Sequence, residues 1–321
     1  MKGLLYGLLS AVQGDRLAGA IDRSRLRILM YHGFCEDASA GQPWIPSYFV
    51  TRSQLEQQLA YLTRRWNILR LQEAVERLRS GSLPPRAVCL TIDDGYANNL
   101  HVAQPLFQKY NAPATIFLAS AYVESGEFYP FDRLRLIRAF LSPGTPNSNG
   151  YGESLPEYLN NPIDQVIRNA EPEWREIVPH LTDDQRRELR PLTREELRQL
   201  DSRVIDLGAH SHNHCILRNE TSERRRMEIA TSLDRVAEWM GRPARLFSYP
   251  NGRPGDFGEI DKEALRARGV EAAVSTISGA NAASQDLLEL RRYPVGLYHN
   301  RNAFRAEVSG FRTLVRRIAG S

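Results

Sequence analysis

Two short stretches of this 321-residue chain concentrate side chains able to hold a cation and move a proton. The first is Thr91-Ile92-Asp93-Asp94-Gly95. Adjacent carboxylates repel, which pushes one toward its neutral form unless a cation compensates. A divalent metal would compensate, bound by one aspartate while the other stays free as a base. Taken alone, Asp-Gly is also a common turn signal with both acids in water. The second stretch is His210-Ser211-His212-Asn213-His214. Imidazole is a good ligand for zinc and other late divalent metals, and a histidine cluster this dense is hard to explain by packing. If the chain turns after His210, the outer pair grips one ion while His212 points away. One aspartate with two histidines leaves positions open to water, as in a catalytic rather than a closed structural centre. A cation there acidifies water, and the spare aspartate takes its proton.

Both stretches follow directly on short apolar runs, which are the elements that must position them. Runs rich in β-branched residues predict strands at Leu26–Tyr31, Ala87–Ile92, Ala114–Ala119, Val204–Ala209, Arg245–Tyr249, Ala272–Ile277 and Leu290–Val295. Helical patterns lie between them. Thr51 with Gln54 has the form of a capping box before Leu55, Leu59 and Leu62. Leu71 to Arg79 stops at Gly81, Ser222 to Met240 at Gly241, and Asp261 to Arg268 at Gly269. Alternating strands and helices predict an α/β fold with parallel strands. About seven strands suit a distorted parallel (β/α) barrel, whose chemistry sits at the carboxyl ends of the strands. One region breaks the rhythm. Ser142–Gly152 is turn-rich, and Asn160 to Pro191 is polar with four prolines. Residues 125–200 therefore read as a mostly helical insertion, with further capping boxes at Thr182/Gln185 and Thr193/Glu196. Such an insertion should overhang the active face, with Phe128, Tyr129, Phe131 and Asp132 as groove contacts.

Bulk composition excludes more than it identifies. Hydrophobic residues make up 42% and charged residues 25%, the profile of a globular domain with a real core. The net charge of +4 comes from 42 basic against 38 acidic residues, with no long basic run of a nucleic-acid module. Cys35, Cys89 and Cys215 are widely spaced, signalling neither a disulfide framework nor a thiolate zinc site. At the N-terminus, residues 1–24 read as a separate amphipathic helix, with Leu4, Leu5, Leu8, Leu9 and Val12 on one face. Gln13, Asp15 and Arg16 arrive too soon for a secretory signal. The expectation is a cytoplasmic protein, with residues 1–20 packed on the domain or in weak peripheral contact with the inner membrane face.

Residues 25–321 resemble the polysaccharide deacetylases of carbohydrate esterase family four, the NodB-homology type. T-I-D-D-G is similar to that family's T-F-D-D-G, H-S-H-N-H to its H-[ST]-x-x-H, and the segment Arg245–Gly252 to its groove-wall motif. The resemblance implies that Asp93 is the catalytic base and that Asp94, His210 and His214 hold one divalent metal. Zinc comes first, with nickel, cobalt or ferrous iron as alternatives. It implies that Ser211 braces the ligands, that the Tyr96 N–H helps hold the oxyanion, and that Tyr249, Pro250 and Asn251 line the groove, with Trp44 as a further aromatic. The arginine usual before the groove-wall proline is replaced by Ser248-Tyr249, and the family's late motifs are not visible. Leu29–His32 and Leu290–Val295 instead resemble a branch of exopolysaccharide and biofilm deacetylases. There Arg292 would orient the catalytic aspartate, and His32 would be the general acid, with His299 as second candidate.

The expected activity is removal of N-acetyl groups from the sugars of a polysaccharide or its lipid-linked precursor. The expected partner is thus an N-acetylated glycan or glycolipid. Two alternatives differ in class: a non-catalytic glycan-binding relic of the fold, and a metal phosphoesterase. A relic would not need Asp93, and a phosphoesterase would want a second ligand cluster.

Overall fold

The computed structural model describes residues 25–141 and 155–310. The helix expected over residues 1–24 and the turn-rich stretch at 142–152 lie outside them. All seven expected strands form, within a residue or two of their expected ends: β1 Arg27–Tyr31, β2 Ala87–Ile92, β3 Ala114–Leu118, β4 Ile205–Ala209, β5 Leu246–Ser248, β6 Ala272–Ser278 and β7 Leu290–Pro294. Each pairs in parallel with its neighbours in the order β1-β7-β6-β5-β4-β3-β2. The ring closes where β2 returns to β1, from Arg27 against Val88 to Tyr31 against Ile92. The fold is therefore a closed parallel barrel. Among the described residues, three two-residue strands escape the sequence pattern because they are too short to show periodicity.

Side chains on β2 alternate between two cores. Val88, Leu90 and Ile92 pack in the large outer cluster, while Ala87 and Cys89 join Ile28, Leu246, Val274 and Leu290 in a second one. Helix α1 (Arg52–Arg65) carries the expected capping box, and helix α2 (Leu71–Arg79) packs Leu71, Ala74, Val75 and Leu78 into that second core. Continuing the two-residue period toward the carboxyl ends changes the chemistry. Ile28 leads to Met30 and His32, Cys89 to Thr91 and Asp93, Leu246 to Ser248, and Leu290 to Arg292. Apolar packing thus fixes one half of each strand, and strand geometry aims the polar half into the same space.

Helix α3 (Gln104–Lys109) precedes β3, and α4 (Ser120–Ser125) follows it. The segment before β4 carries α5 (Pro130–Leu141), α6 (Pro156–Leu159), α7 (Ile163–Ile177), α8 (Asp183–Leu189) and α9 (Arg194–Leu197). Both expected capping boxes there are made, at Thr182 and Thr193. Helix α10 (Ser222–Met240) ends at Gly241 in the left-handed conformation, φ 66°. Helix α11 (Glu259–Ala267) starts earlier than expected because Asp261 accepts the Gly258 N–H at 2.8 Å. Helix α12 (Arg301–Val308) follows the last strand.

Candidate metal and catalytic site

Asp93 is the next inward residue of β2, and its carboxylate meets the inward Arg292 of β7. Arg292 donates to both oxygens, Nη1 to Oδ1 at 2.7 Å and Nη2 to Oδ2 at 2.6 Å. The Ser248 hydroxyl of β5 adds a third donor to Oδ1 at 3.2 Å. Arg292 is itself held by the Ser275 carbonyl at 2.8 Å and is fully buried. Burial pushes the Asp93 carboxyl up, but the facing Arg292 outweighs it and holds the group below the usual carboxylate range. This fork-on-carboxylate geometry keeps Asp93 ionised and fixes its orientation.

Asp94 breaks the alternation. Its φ of 72°, followed by 74° at Gly95, turns the chain so that its carboxylate leaves the inward series. A Cβ at Gly95 would meet the Leu118 side chain at 2.3 Å, so the turn requires glycine there. Ser211 and His214 also take left-handed φ, 57° and 52°. Non-glycine residues in that region collect at sites where the surroundings over-determine the backbone.

The two turns bring Asp94 Oδ1 to 3.5 Å from His210 Nε2 and 3.0 Å from His214 Nε2. Proton positions are set by the other ring nitrogens. His210 Nδ1 lies 2.7 Å from the Ser248 carbonyl oxygen, which only accepts, so Nδ1 carries the proton. The Tyr158 hydroxyl donates to the His214 carbonyl at 2.8 Å, and so accepts from His214 Nδ1 at 2.6 Å. Both Nε2 atoms therefore present lone pairs toward an anion. Asp94 is that anion, its Oδ1 facing both nitrogens. Burial lowers the His214 ring, against the upward pull of Asp94. Three buried acceptors within 4.8 Å of one another could hold a cation, and one carboxylate with two imidazoles is a donor set that fits a divalent metal.

A cavity of about 870 Å³ opens over these residues. Its lining includes Asp93, Asp94, His210, His214, His32, His299 and Asn251. The His32 ring lies 4.8 Å from that of Tyr48 at a tilt of 51°, and its buried Nδ1 has no partner among the described residues. Burial lowers the His32 ring, against the upward pull of Asp94 and Asp93. His299 accepts the Gly296 N–H on Nδ1 at 3.0 Å, which makes it a hook for its own turn. Residues 95 and 97 make the bridge bonds to 190 and 192, so the intervening Tyr96 N–H points away from that bridge.

Several expected groove contacts are elsewhere. Tyr249 is 1% exposed; its ring stacks on Phe257 at 3.8 Å, and its hydroxyl donates to the Leu288 carbonyl. Pro250 is buried beside it, so of that trio only Asn251 reaches the cavity. The Ser211 carbonyl accepts from Ser120 N. His212 turns away to Ser120 Oγ at 2.7 Å. Trp44 packs on the core, and the aromatics on the wall include Tyr48, Tyr158 and Tyr298. From the insertion, Phe131 faces the cavity, whereas Phe128, Tyr129 and Asp132 stand behind it. Tyr129 donates to the Asp94 carbonyl, and Asp132 binds Arg135 and the Tyr96 hydroxyl. Arg135, Tyr158 and Tyr48 carry no signal in the sequence, because isolated residues in helical or loop segments have no telling spacing. Cys35, Cys89 and Cys215 are buried and unpaired, with Cys35 and Cys89 pushed up by burial.

The chain belongs to the polysaccharide deacetylase family, whose profile matches residues 80–273, more than half of its length. A Bacillus subtilis (strain 168) protein, YxkH, whose name assigns it to the polysaccharide deacetylases, is 23% identical over 291 residues. That match spans 90% of this chain and 78% of YxkH. The poly-beta-1,6-N-acetyl-D-glucosamine N-deacetylase of Staphylococcus aureus (strain MSSA476) is 31% identical over 91 residues, 28% of this chain and 31% of that protein. The Streptococcus pyogenes deacetylase PplD in complex with acetate shares the fold at a TM-score of 0.62 and 17% identity, across 89% of this chain and 99% of that one.

Proposed function

We propose that this chain is a metal-dependent carbohydrate de-N-acetylase, hydrolysing the linear amide of N-acetylated sugars in a polysaccharide or its lipid-linked precursor. One observation carries the reading: three buried acceptors (Asp94, His210 and His214) converge beside an aspartate kept ionised by Arg292. A divalent cation held by those three, zinc before nickel, cobalt or ferrous iron, supplies Lewis acidity toward water and the acetyl oxygen. Asp93, which is not a ligand, takes the proton of the attacking water, and Arg292 keeps it anionic and oriented. The Tyr96 N–H donates to the oxygen that gains charge, and Asn251 contacts the sugar. His32 delivers a proton to the leaving nitrogen, so that water and amide become acetate and amine. His299, tied to Gly296, is the weaker acid candidate.

The Staphylococcus aureus relative makes β-1,6-linked N-acetylglucosamine the first polymer to test. Purified protein should hold about one zinc and release acetate from such oligomers or from lipid-linked N-acetyl sugars. Sugar binding without acetate release, unaffected by Asp93→Asn, would sink this reading in favour of a binding protein.

No helix among the described residues is long and apolar enough to cross a membrane. We place the protein in the cytoplasm, with residues 1–20 packed on the domain or in weak contact with the inner membrane face. Recovery from the periplasm or medium on fractionation would contradict that placement.

A further inference from the structure

We infer that Tyr158, carried by the insertion rather than by the barrel, is a positioning residue of the cation site. Its hydroxyl selects the tautomer of His214, and so sets how tightly the site holds its metal. The inference rests on the metal reading above and goes beyond it, because it makes the barrel's centre incomplete without α6.

The hydroxyl has a single proton. At 2.8 Å from the His214 carbonyl and 2.6 Å from His214 Nδ1, it makes both contacts only by donating to the carbonyl and accepting from the ring. That leaves Nε2 unprotonated, the state a metal ligand needs. Without the hydroxyl, Nδ1 would face no acceptor, and the ring could place its proton on Nε2 against Asp94 Oδ1, 3.0 Å away. The other ligand needs no such help, since the barrel itself supplies the Ser248 carbonyl to His210.

Placement of Tyr158 is itself built. Its ring meets Phe131 edge-on at 5.6 Å and is buried. The chain just after the histidine motif grips α6 and the start of α7. Asn219 Nδ2 donates to the Leu159 and Asn161 carbonyls at 3.1 and 3.2 Å, and Glu220 accepts the Ile163 N–H at 2.7 Å. The insertion and the histidine loop therefore hold one another, with Tyr158 at the contact.

The test compares full-length wild type, Tyr158→Phe and Asn219→Ala, stripped of metal and retitrated with zinc against a chromophoric chelator. Tyr158→Phe keeps the ring and removes only the hydroxyl. Partners of this kind change metal affinity by about 10- to 100-fold, and a loss in that range is expected. Asn219→Ala, which loosens α6 without touching the tyrosine, should weaken zinc in the same direction by less. In the cobalt-loaded protein the ligand-field bands should shift for Tyr158→Phe, and nitrogen NMR of the metal-free form should show more Nε2–H tautomer at His214. A Tyr158→Phe variant with wild-type zinc affinity and an unchanged cobalt spectrum would overturn the inference while leaving the metal reading intact. Failure of wild type to bind zinc would overturn both.

Discussion

Two buried aspartates, each gripped by an arginine, end in opposite states. Asp93 at the barrel mouth is held below the carboxylate range, whereas Asp132 in the insertion is pushed up to about 7. Both are shut off from solvent, so burial raises both. The difference lies in what faces them. Asp93 receives both arms of Arg292 and the Ser248 hydroxyl. Asp132 has Arg135 on one oxygen and the Tyr96 hydroxyl on the other at 2.7 Å, with anionic Asp94 nearby to raise it. An Asp–Arg pair is therefore not one kind of object. The barrel uses its pair to keep a base charged, and the insertion uses its pair to tie a wall together.

The largest effect should separate Asp93 from its neighbour. Asp93→Asn is expected to lower turnover by about 10²- to 10⁴-fold, the usual contribution of a positioned base, with metal content unchanged. Asp94→Asn should lose the metal instead. Near wild-type turnover in Asp93→Asn would end its assignment as base. Next come the histidines: elemental analysis should find zinc strongly depleted in His210→Ala and His214→Ala but not in His212→Ala. Equal depletion in all three would mean that the middle ring, turned to Ser120, is wrongly placed.

Asp132 predicts an effect on stability rather than on metal. Its folded value of about 7 lies above the roughly 3.9 of an unfolded aspartate. The folded state therefore binds the extra proton between those values, and stability falls as pH rises from about 4 to about 7 and stays lowered above. Asp132→Asn cannot ionise. Urea unfolding should show wild type losing ground to that variant between pH 5 and pH 8, by on the order of a few kcal/mol at most. A constant difference across that range would show that Asp132 is ionised throughout, like Asp93. The smallest expected effect is Thr193→Ala, which removes the cap of α9 beside the Tyr96 bridge. A loss of about 1 kcal/mol in unfolding free energy is expected, and a similar loss for Thr51→Ala in α1 of the barrel. If only one of the two variants loses stability, insertion and barrel do not unfold as one unit.

Much of this was legible in the order of residues. The runs that became the seven strands stand out as short and mostly apolar, and the caps at Thr51, Thr182, Thr193 and Gly241 depend on neighbours three residues away or fewer. Asp93, Asp94, His210 and His214 stood out because two strands each deliver them in consecutive turns. Arg292 lies 199 residues from Asp93, and only the parallel register, repeated around the ring, brings their side chains together. Tyr249 shows the reverse: the resemblance made it a groove residue, and the packing of Phe257 against its ring put it in the core. Local signals of period and capping are written within a few residues, so the sequence alone determined the seven barrel strands, several of the helices and the position of four polar residues just past the strand ends. Which insertion residues face the cavity, which tautomer each histidine takes and which buried aspartate keeps its charge depend on atoms far apart in the chain. Hydrogen bonding and burial act through space, and only the closed barrel with its insertion in place decided them.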